Sequence, residues 1–409
     1  MKIALVSEYY YPLLGGITEH VYNLAKSLVG LGHEVTVITH NLGHRDDHHY
    51  PDEPVDFEVR RFGRGIPLYS NGSFARVTVG RRLGGDLQAF FEREKFDVIH
   101  AHSPLTPILP LVAVRRSNAL ATVGTFHTYF DRSSGYGLLR KKAARHMSML
   151  DGRIVVSSAC IEALSRYFDT DYRVIPNGVD PDYFTPDAPK LSQFDDGRLN
   201  ILFLGRFDPR NGLGTMIEAF RLVRREFDGC RLIVVGDGPL RPWYQKKVGR
   251  ELARDVHFAG LVNGGRPNYY SSADIYCSPC NKASFGVVLL EAMASGKPIV
   301  ASDINGYAQV MRDGREGFMV PEGDVEAFAG KLLRLLRDSE LRSVMGAEGR
   351  HTAVERFSWE LVARQVEDYY LELLGEGRGA AAATDEPVEE GLVPAGVGRA
   401  AEEVFALNE

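Results

Sequence analysis

Short unbroken apolar runs punctuate the chain, and between them apolar residues return every three to four positions. Residues 3–7, 34–39, 97–102, 121–128 and 153–157 have the run lengths of strands buried on both faces. A further run at 174–180 passes into a turn. The pattern then restarts, with strand-like runs at 200–204, 230–235, 256–258, 275–277, 298–301 and 317–320. Between the runs lie helical patterns, such as Ile17, Val21, Leu24, Ala25 and Leu28 on one face of a first helix. Alternation of buried strands with amphipathic helices predicts parallel sheets covered on both faces. Because the series occurs twice, two doubly wound α/β domains are expected, facing a cleft. A Pro- and Asp-rich stretch, PDYFTPDAPK (181–190), separates them as a linker.

The predicted boundaries are 1–190, 191–358, a C-terminal helix 359–374 returning to the N-terminal domain, and a tail 375–409. The tail is low in complexity and predicted disordered, with a short helix at 399–407. Its eight acidic and two basic residues from position 376 onward account for the whole net charge of -6. The folded part is therefore close to neutral, and no global basic field points to nucleic acid. Four cysteines in 409 residues make no disulfide framework, and the isolated Cys277-x-x-Cys280 reads as small core residues. The start of the chain, MKIALVS, is strand-like rather than a secretory signal, and no apolar run reaches membrane-spanning length. A cytoplasmic protein, at most peripheral on the inner face of a membrane, is expected.

Two places suit an anionic ligand. The first strand leads through a loop to Gly15-Gly16 and a helix start, where backbone approaches a ligand closely. The dinucleotide pattern GxGxxG is absent, which argues against NAD. The second place is CSPCNKASFGVVLLEAMASG (277–296), a strand end, a small-residue turn and a helix with Glu291 as its one acidic residue. His127 ends a predicted strand, at the edge where open α/β sheets present ligand contacts. His48-His49 lack helical metal-ligand spacing and read as surface. The Asp169-x-Asp171 and Asp180-x-Asp182 pairs sit in turns and read as structural. No metal site is expected.

Several segments together resemble one family. They are Gly15-Gly16 before the first helix, TFHT (125–128), PNGVD (176–180), GRFDPRNG (205–212), GDGP (236–239), SFGVVLLEAMASGKP (284–298) and GFMVPEGD (317–324). In this order and spacing the chain resembles retaining GT-B glycosyltransferases of family 4, nearest their phosphatidylinositol α-mannosyltransferase branch. The likeness covers about residues 1–375. It implies transfer of a hexose, mannose from GDP-mannose, to a phosphatidylinositol-like lipid or polyol, in glycolipid biosynthesis. It also implies that Arg206 grips the donor diphosphate, that Glu291 bonds the nucleotide ribose, and that Gly15, Gly16, Asn211, Phe285, Gly286 and Val287 line the donor. His127 would contact the transferred sugar, making His127 and Arg206 the catalytic pair. Tyr9, Thr18, Asn71, Ser73 and Arg76 would hold the acceptor head group. The family's front-face mechanism, in which the departing phosphate takes the acceptor proton, implies no cofactor beyond the nucleotide-sugar co-substrate and no metal.

Two positions depart from the family. Where relatives carry Glu and Lys, this chain has Ala283 and Asn211. Arg210 is a candidate replacement cation, although neighbouring residues in an extended segment point apart. A binding protein that has lost catalysis, or a GT-B-fold epimerase, stand as alternatives. Arg60, Arg61, Arg64, Lys141, Lys142 and Arg145 make up a candidate basic face for anionic lipid.

Overall fold

The computed structural model describes residues 1–13, 15–42, 55–70, 73–105, 108–127, 140–262 and 264–375. His48, His49, Asn71, Thr128 and the acidic tail lie outside these residues. The first sheet contains β1 (Lys2–Val6), β2 (Glu34–Asn41), β3 (Glu58–Ser70), β4 (Ser73–Val79), β5 (Val98–His102), β6 (Ala121–Phe126), β7 (Gly152–Val155) and β8 (Arg173–Val174). Their spatial order is β4-β3-β2-β1-β5-β6-β7-β8, parallel except for the β3–β4 hairpin. The second contains β9 (Leu199–Leu204), β10 (Cys230–Val235), β11 (Val256–Gly260), β12 (Ile275–Ser278), β13 (Ile299–Ser302) and β14 (Gly317–Val320). It is ordered β11-β10-β9-β12-β13-β14 and parallel throughout.

Helices α1 (Gly16–Gly30), α2 (Leu83–Glu94), α3 (Ile108–Arg116), α4 (Arg140–Met147) and α5 (Ser158–Ser165) accompany the first sheet. Helices α6 (Leu213–Glu226), α7 (Arg241–Leu252), α8 (Arg266–Ser272), α9 (Val287–Ala294), α10 (Asn305–Ala308), α11 (Val325–Arg337) and α12 (Ser339–Phe357) follow with the second. The last helix, α13 (Trp359–Leu373), crosses back. Its Trp359, Val362, Val366 and Tyr370 are buried in one cluster with Ile3, Leu5, Val21 and Leu24 of the first half. Each such aliphatic side chain contributes about 1.5–3 kcal/mol when fully buried, so α13 is firmly attached to the first half.

Strand order reverses between β1 and β5 and again between β9 and β12, and such switch points open ligand crevices at the strands' C-terminal ends. The two halves meet there. Ser157 Oγ donates to the Ser284 carbonyl at 2.6 Å, and Phe184 of the linker packs edge-on against Tyr270. The linker is thus ordered, with Arg350 donating to the carbonyls of Pro181 and Phe184.

One element escaped the apolar pattern. The β3–β4 hairpin carries Arg60, Arg61, Arg64 and Arg76 and two glycines, so period-2 alternation is broken. Pro67 is tolerated because residues 65–70 pair only with β4, leaving that part of β3 at an edge. The run at 174–180 is mostly not strand, since β8 has only two residues.

Helix α9 is apolar nearly all round, and residues 289–294 are buried. It ends at Gly296, whose φ of +68° is left-handed, with the Lys297 amide donating to the Ala292 carbonyl. Lys297 Nζ is carried inward to the Ser271 carbonyl at 3.2 Å. Burial lowers its pKa to about 8, with Asp274 opposing and Lys190 reinforcing the shift. Because the folded chain holds this proton less tightly than the unfolded one, stability rises with pH from about 8 to the ordinary lysine range. Below pH 8 the full cost remains. Lys297→Met is therefore expected to raise stability at pH 7 by about 1–3 kcal/mol, measured by urea denaturation. The gain should shrink at pH 10; a destabilised variant at pH 7 would refute it.

Candidate active site

The loop from Ser7 to Gly15 leaves β1 at the first switch point. Ser7 Oγ donates to the Tyr9 carbonyl, and Thr18 Oγ1 donates to the Leu13 carbonyl at 2.7 Å. Glu8, 1% exposed, accepts from Thr78 Oγ1 at 2.6 Å and from the Leu109 amide at 3.0 Å. It thereby ties the loop to β4 and to the start of α3. Burial raises the Glu8 pKa against these hydrogen bonds. A Cβ at Gly15 or Gly16 would meet nothing within 4 Å, so protein packing does not demand glycine at either place. Gly16 lines the cavity described below.

Beneath the loop lies a group of imidazoles. His20 comes from α1, His100 and His102 from β5, and His127 from the end of β6. His102 Nδ1 and His127 Nε2 are 3.1 Å apart. His20 Nδ1 meets Asn177 Oδ1 at 2.8 Å. His100 bridges Tyr370 Oη and Thr125 Oγ1, each at 2.6 Å. Burial lowers the pKa of His20 to about 4 and of His100 to about 3, and puts His102 and His127 well below the ordinary range. All four are neutral at physiological pH.

On the opposite wall, Glu291 of α9 is 3% exposed. Arg266, at the start of α8, donates to Glu291 Oε1 at 2.8 Å, and Tyr270 Oη donates to Oε2 at 2.8 Å. The same guanidinium reaches Glu19 of α1 at 3.2 Å, joining the two halves. Burial pulls the Arg266 pKa down, but Glu291 and Glu19 outweigh it and raise it. Gly16, Glu19, His20, Asn177, Arg266 and Glu291 line one cavity of about 270 Å³, which Val287 also borders. Arg206 and His127 lie outside that lining.

Arg206 follows β9 with its side chain 58% exposed and pairs with Asp208 at 3.2 Å. Residues 209–211 form a 3₁₀ turn rather than an extended segment. Arg210 consequently swings round to the same Asp208 carboxylate, at 4.0 Å. The Asn211 side-chain amide folds back and donates to the Arg206 carbonyl at 2.7 Å. Gly212 has a φ of +75°, and a Cβ there would lie 1.7 Å from the Pro279 carbonyl oxygen. That close approach presses the Arg206 loop onto residues 279–283. Phe285 is buried against Phe357, and Gly286 precedes the first turn of α9.

A second cavity, of about 440 Å³, lies between Pro12, Leu13, Leu42, Arg64, Ile66 and Arg76. Tyr9 Oη accepts from the Arg76 amide at 3.4 Å, so Tyr9 adjoins a residue of this lining without being part of it. Ser73 pairs with Ser70 at the hairpin end.

Comparison with known proteins decides what this cleft belongs to. A model of glycosyltransferase family 4 matches residues 14–183, and one of the group 1 glycosyl transferases matches residues 198–338. The phosphatidyl-myo-inositol mannosyltransferase of Mycobacterium leprae is 34% identical over 373 residues, covering 90% of this chain and 96% of the relative. That of Mycobacterium tuberculosis H37Rv is 33% identical, covering 92% and 98%. The chain belongs to glycosyltransferase family 4. A glycosyltransferase from Rickettsia africae, 19% identical, superposes with a TM-score of 0.71 over 91% of this chain and 98% of its own, and shares the GT-B fold.

In this glycosyltransferase three expectations from sequence change. Thr18 is wholly buried and spends its hydroxyl on Leu13, so it shapes the loop instead of facing an acceptor. Asn211 spends an amide hydrogen on the Arg206 carbonyl and so supports that backbone. Arg61 is no lipid-facing cation, since its guanidinium donates to the carbonyls of His40 and Tyr11. Arg266, Glu19, His20 and His102 lie in or beside the cleft although the sequence does not mark them, while Arg64, expected on a lipid-facing surface, borders the second cavity. The four sit on helices and strands whose sequence reads as core or solvated face. Only tertiary folding converges them. Among the described residues no helix is long and apolar enough to cross a membrane.

Proposed function

We propose that this glycosyltransferase moves mannose from GDP-mannose to the inositol head group of a phosphatidylinositol-like lipid, with retention at the anomeric carbon. The observation that carries the reading is the 33–34% identity to phosphatidyl-myo-inositol mannosyltransferases across both halves of the cleft. The geometry supports it. Arg206, reinforced by Arg210, takes the diphosphate, and its fork stabilises negative charge growing on the leaving oxygen. Glu291 keeps lone pairs for ribose hydroxyls beside its bonds to Arg266 and Tyr270. His127 contacts the transferred sugar as a neutral imidazole, which adds no repulsion to the positive charge developing there. The C–O bond to the diphosphate breaks while the acceptor oxygen bonds the same face, and the leaving phosphate oxygen takes the acceptor's proton. The protein's part is positioning and electrostatics, with no metal step. Tyr9, Arg76 and Arg64 surround the acceptor's phosphate in the second cavity. The exposed Lys141, Lys142 and Arg145 of α4 face the anionic inner surface of a membrane, with the protein on the cytoplasmic side.

The test is a donor panel against phosphatidylinositol in anionic and zwitterionic vesicles. Transfer from GDP-mannose with α-linked product, faster on anionic vesicles, is expected. Absence of transfer and of slow donor hydrolysis with every nucleotide sugar would refute the reading. Ala283, half-exposed beside the α9 entry, favours a second reading in which donor sugar is held weakly and catalysis is impaired. Under the first reading Ala283→Glu changes the rate of an already active enzyme. Under the second, only Ala283→Glu turns over.

A further inference from the structure

The imidazoles of His20, His102 and His127 converge more closely than one hydrogen-bonded pair requires. We propose that they form a transition-metal site for Zn²⁺, and that an ion bound there withdraws His127 from the sugar and blocks transfer.

The argument is geometric. Each of the three residues presents a ring nitrogen, and these nitrogens all lie within 4.8 Å of one another. The ring centroids are 5.2 Å apart for His20 and His102, 4.7 Å for His20 and His127, and 5.4 Å for His102 and His127. Three imidazoles on a tetrahedral ion with Zn–N bonds of about 2.0–2.1 Å have centroids about 5 Å apart and nitrogens about 3.3 Å apart. The observed 3.1 Å between His102 Nδ1 and His127 Nε2 already meets the second figure. His20 offers its ring nitrogen within 4.8 Å of both.

The surroundings match those of a metal site. His20 Nδ1 is engaged by Asn177 Oδ1, the kind of outer hydrogen bond that fixes a ligand's tautomer and directs its other nitrogen at the ion. His20 on α1 packs edge-on against Trp359 of α13, His102 is on β5, and His127 directly follows β6, so two of the three rings are carried by regular elements. An ion has a route in, because His20 lines the 270 Å³ cavity and His127 is partly exposed. Three neutral nitrogens with no carboxylate select Zn²⁺, Ni²⁺ or Cu²⁺ over Mg²⁺ or Ca²⁺. A three-nitrogen set also leaves the ion's fourth position open.

Metal binding itself does not rest on the proposed reaction; only the block does. Calorimetry with Zn²⁺, and absorption spectra with Co²⁺ in its place, read binding without any assay of transfer. One ion per chain is expected, with the intense visible bands of tetrahedral Co²⁺. Asn177→Ala should weaken Zn²⁺ binding by about 10–100-fold. His20→Gln and His102→Gln, with circular dichroism confirming the fold, should weaken it at least as much. Unchanged Zn²⁺ affinity in both histidine variants, or Co²⁺ bound without tetrahedral bands, would overturn the site. For the block, Zn²⁺ should inhibit transfer reversibly by chelator, at concentrations that follow the calorimetric affinity. Full transfer at saturating Zn²⁺ would overturn that role and leave the site standing. Failure to find any transferase activity would bear on the proposed reaction alone.

Discussion

Arg266→Ala is expected to lower the unfolding free energy by about 3 kcal/mol, the lower end of what breaking a buried ion pair costs. The residue serves two carboxylates from opposite halves, Glu291 at 2.8 Å and Glu19 at 3.2 Å. Burial already raises the Glu291 pKa against the pull of Arg266, so removing the guanidinium leaves a 3% exposed carboxyl with Tyr270 as its remaining partner among the described residues, at the cost of either an unpaired charge or an extra proton. The 17% residual exposure of the Arg266 side chain keeps the cost from the upper end. The loss should be seen as a lower urea midpoint. Charge is what the site loses, so the pair of changes Arg266→Met with Glu291→Leu should recover most of the stability while abolishing nucleotide binding. A loss below about 1 kcal/mol for Arg266→Ala would mean that the pair is no better than a solvated surface bridge. The single variant should also bind donor nucleotide less tightly, because Glu291 loses the partner that orients it. Glu19→Ala is the milder control, since its carboxylate is partly exposed.

The same bridge marks the limit of what the sequence made legible. Both parallel sheets were readable because their strands are buried on both faces, and continuous apolar runs such as Ile3–Val6 and Cys230–Val235 leave no polar face for solvent. Glu291 was readable too, as a lone carboxylate on an otherwise apolar helix. Its partner was not. Arg266 begins a seven-residue helix after a glycine turn, where a cation looks solvated, and Glu19 and His20 sit on α1 beside residues with ordinary core spacing. Their meeting depends on how α1 and α9 face one another across the cleft. The β3–β4 hairpin failed for a local reason: arginines, glycines and Pro67 erase alternation on a strand whose outer half pairs on one side only. Arg210 failed for a conformational one. Treating 209–211 as extended sends neighbouring side chains apart, whereas the 3₁₀ turn returns Arg210 to the carboxylate that also holds Arg206.

Arg206→Ala is expected to reduce kcat by about 10²–10³, or about 2.7–4 kcal/mol of transition-state stabilisation, with a much smaller change in stability. The asymmetry follows from exposure. Arg206 is 58% exposed, and its contact with Asp208 is of the kind worth at most about 1 kcal/mol to the fold. Under the proposed reaction its importance therefore lies in charge that appears only during transfer, as negative charge accumulates on the departing diphosphate. Arg206→Lys should recover little of the loss, because a point charge does not reproduce two parallel hydrogen bonds to phosphate oxygens. Arg210 makes the prediction sharper. Asp208 sits between the two guanidiniums, 3.2 Å from one and 4.0 Å from the other, so a diphosphate arriving there competes with one carboxylate for two cations. If Arg210 replaces the cation lost at Asn211, Arg210→Ala should lower kcat/KM by about tenfold, near the effect of one charged hydrogen bond. The double variant should then lose less than the product of the two single effects, since groups acting as a unit on one charge are not additive. Strict additivity would instead place Arg210 outside the diphosphate's reach and leave Arg206 as the sole cation of this loop in the reaction.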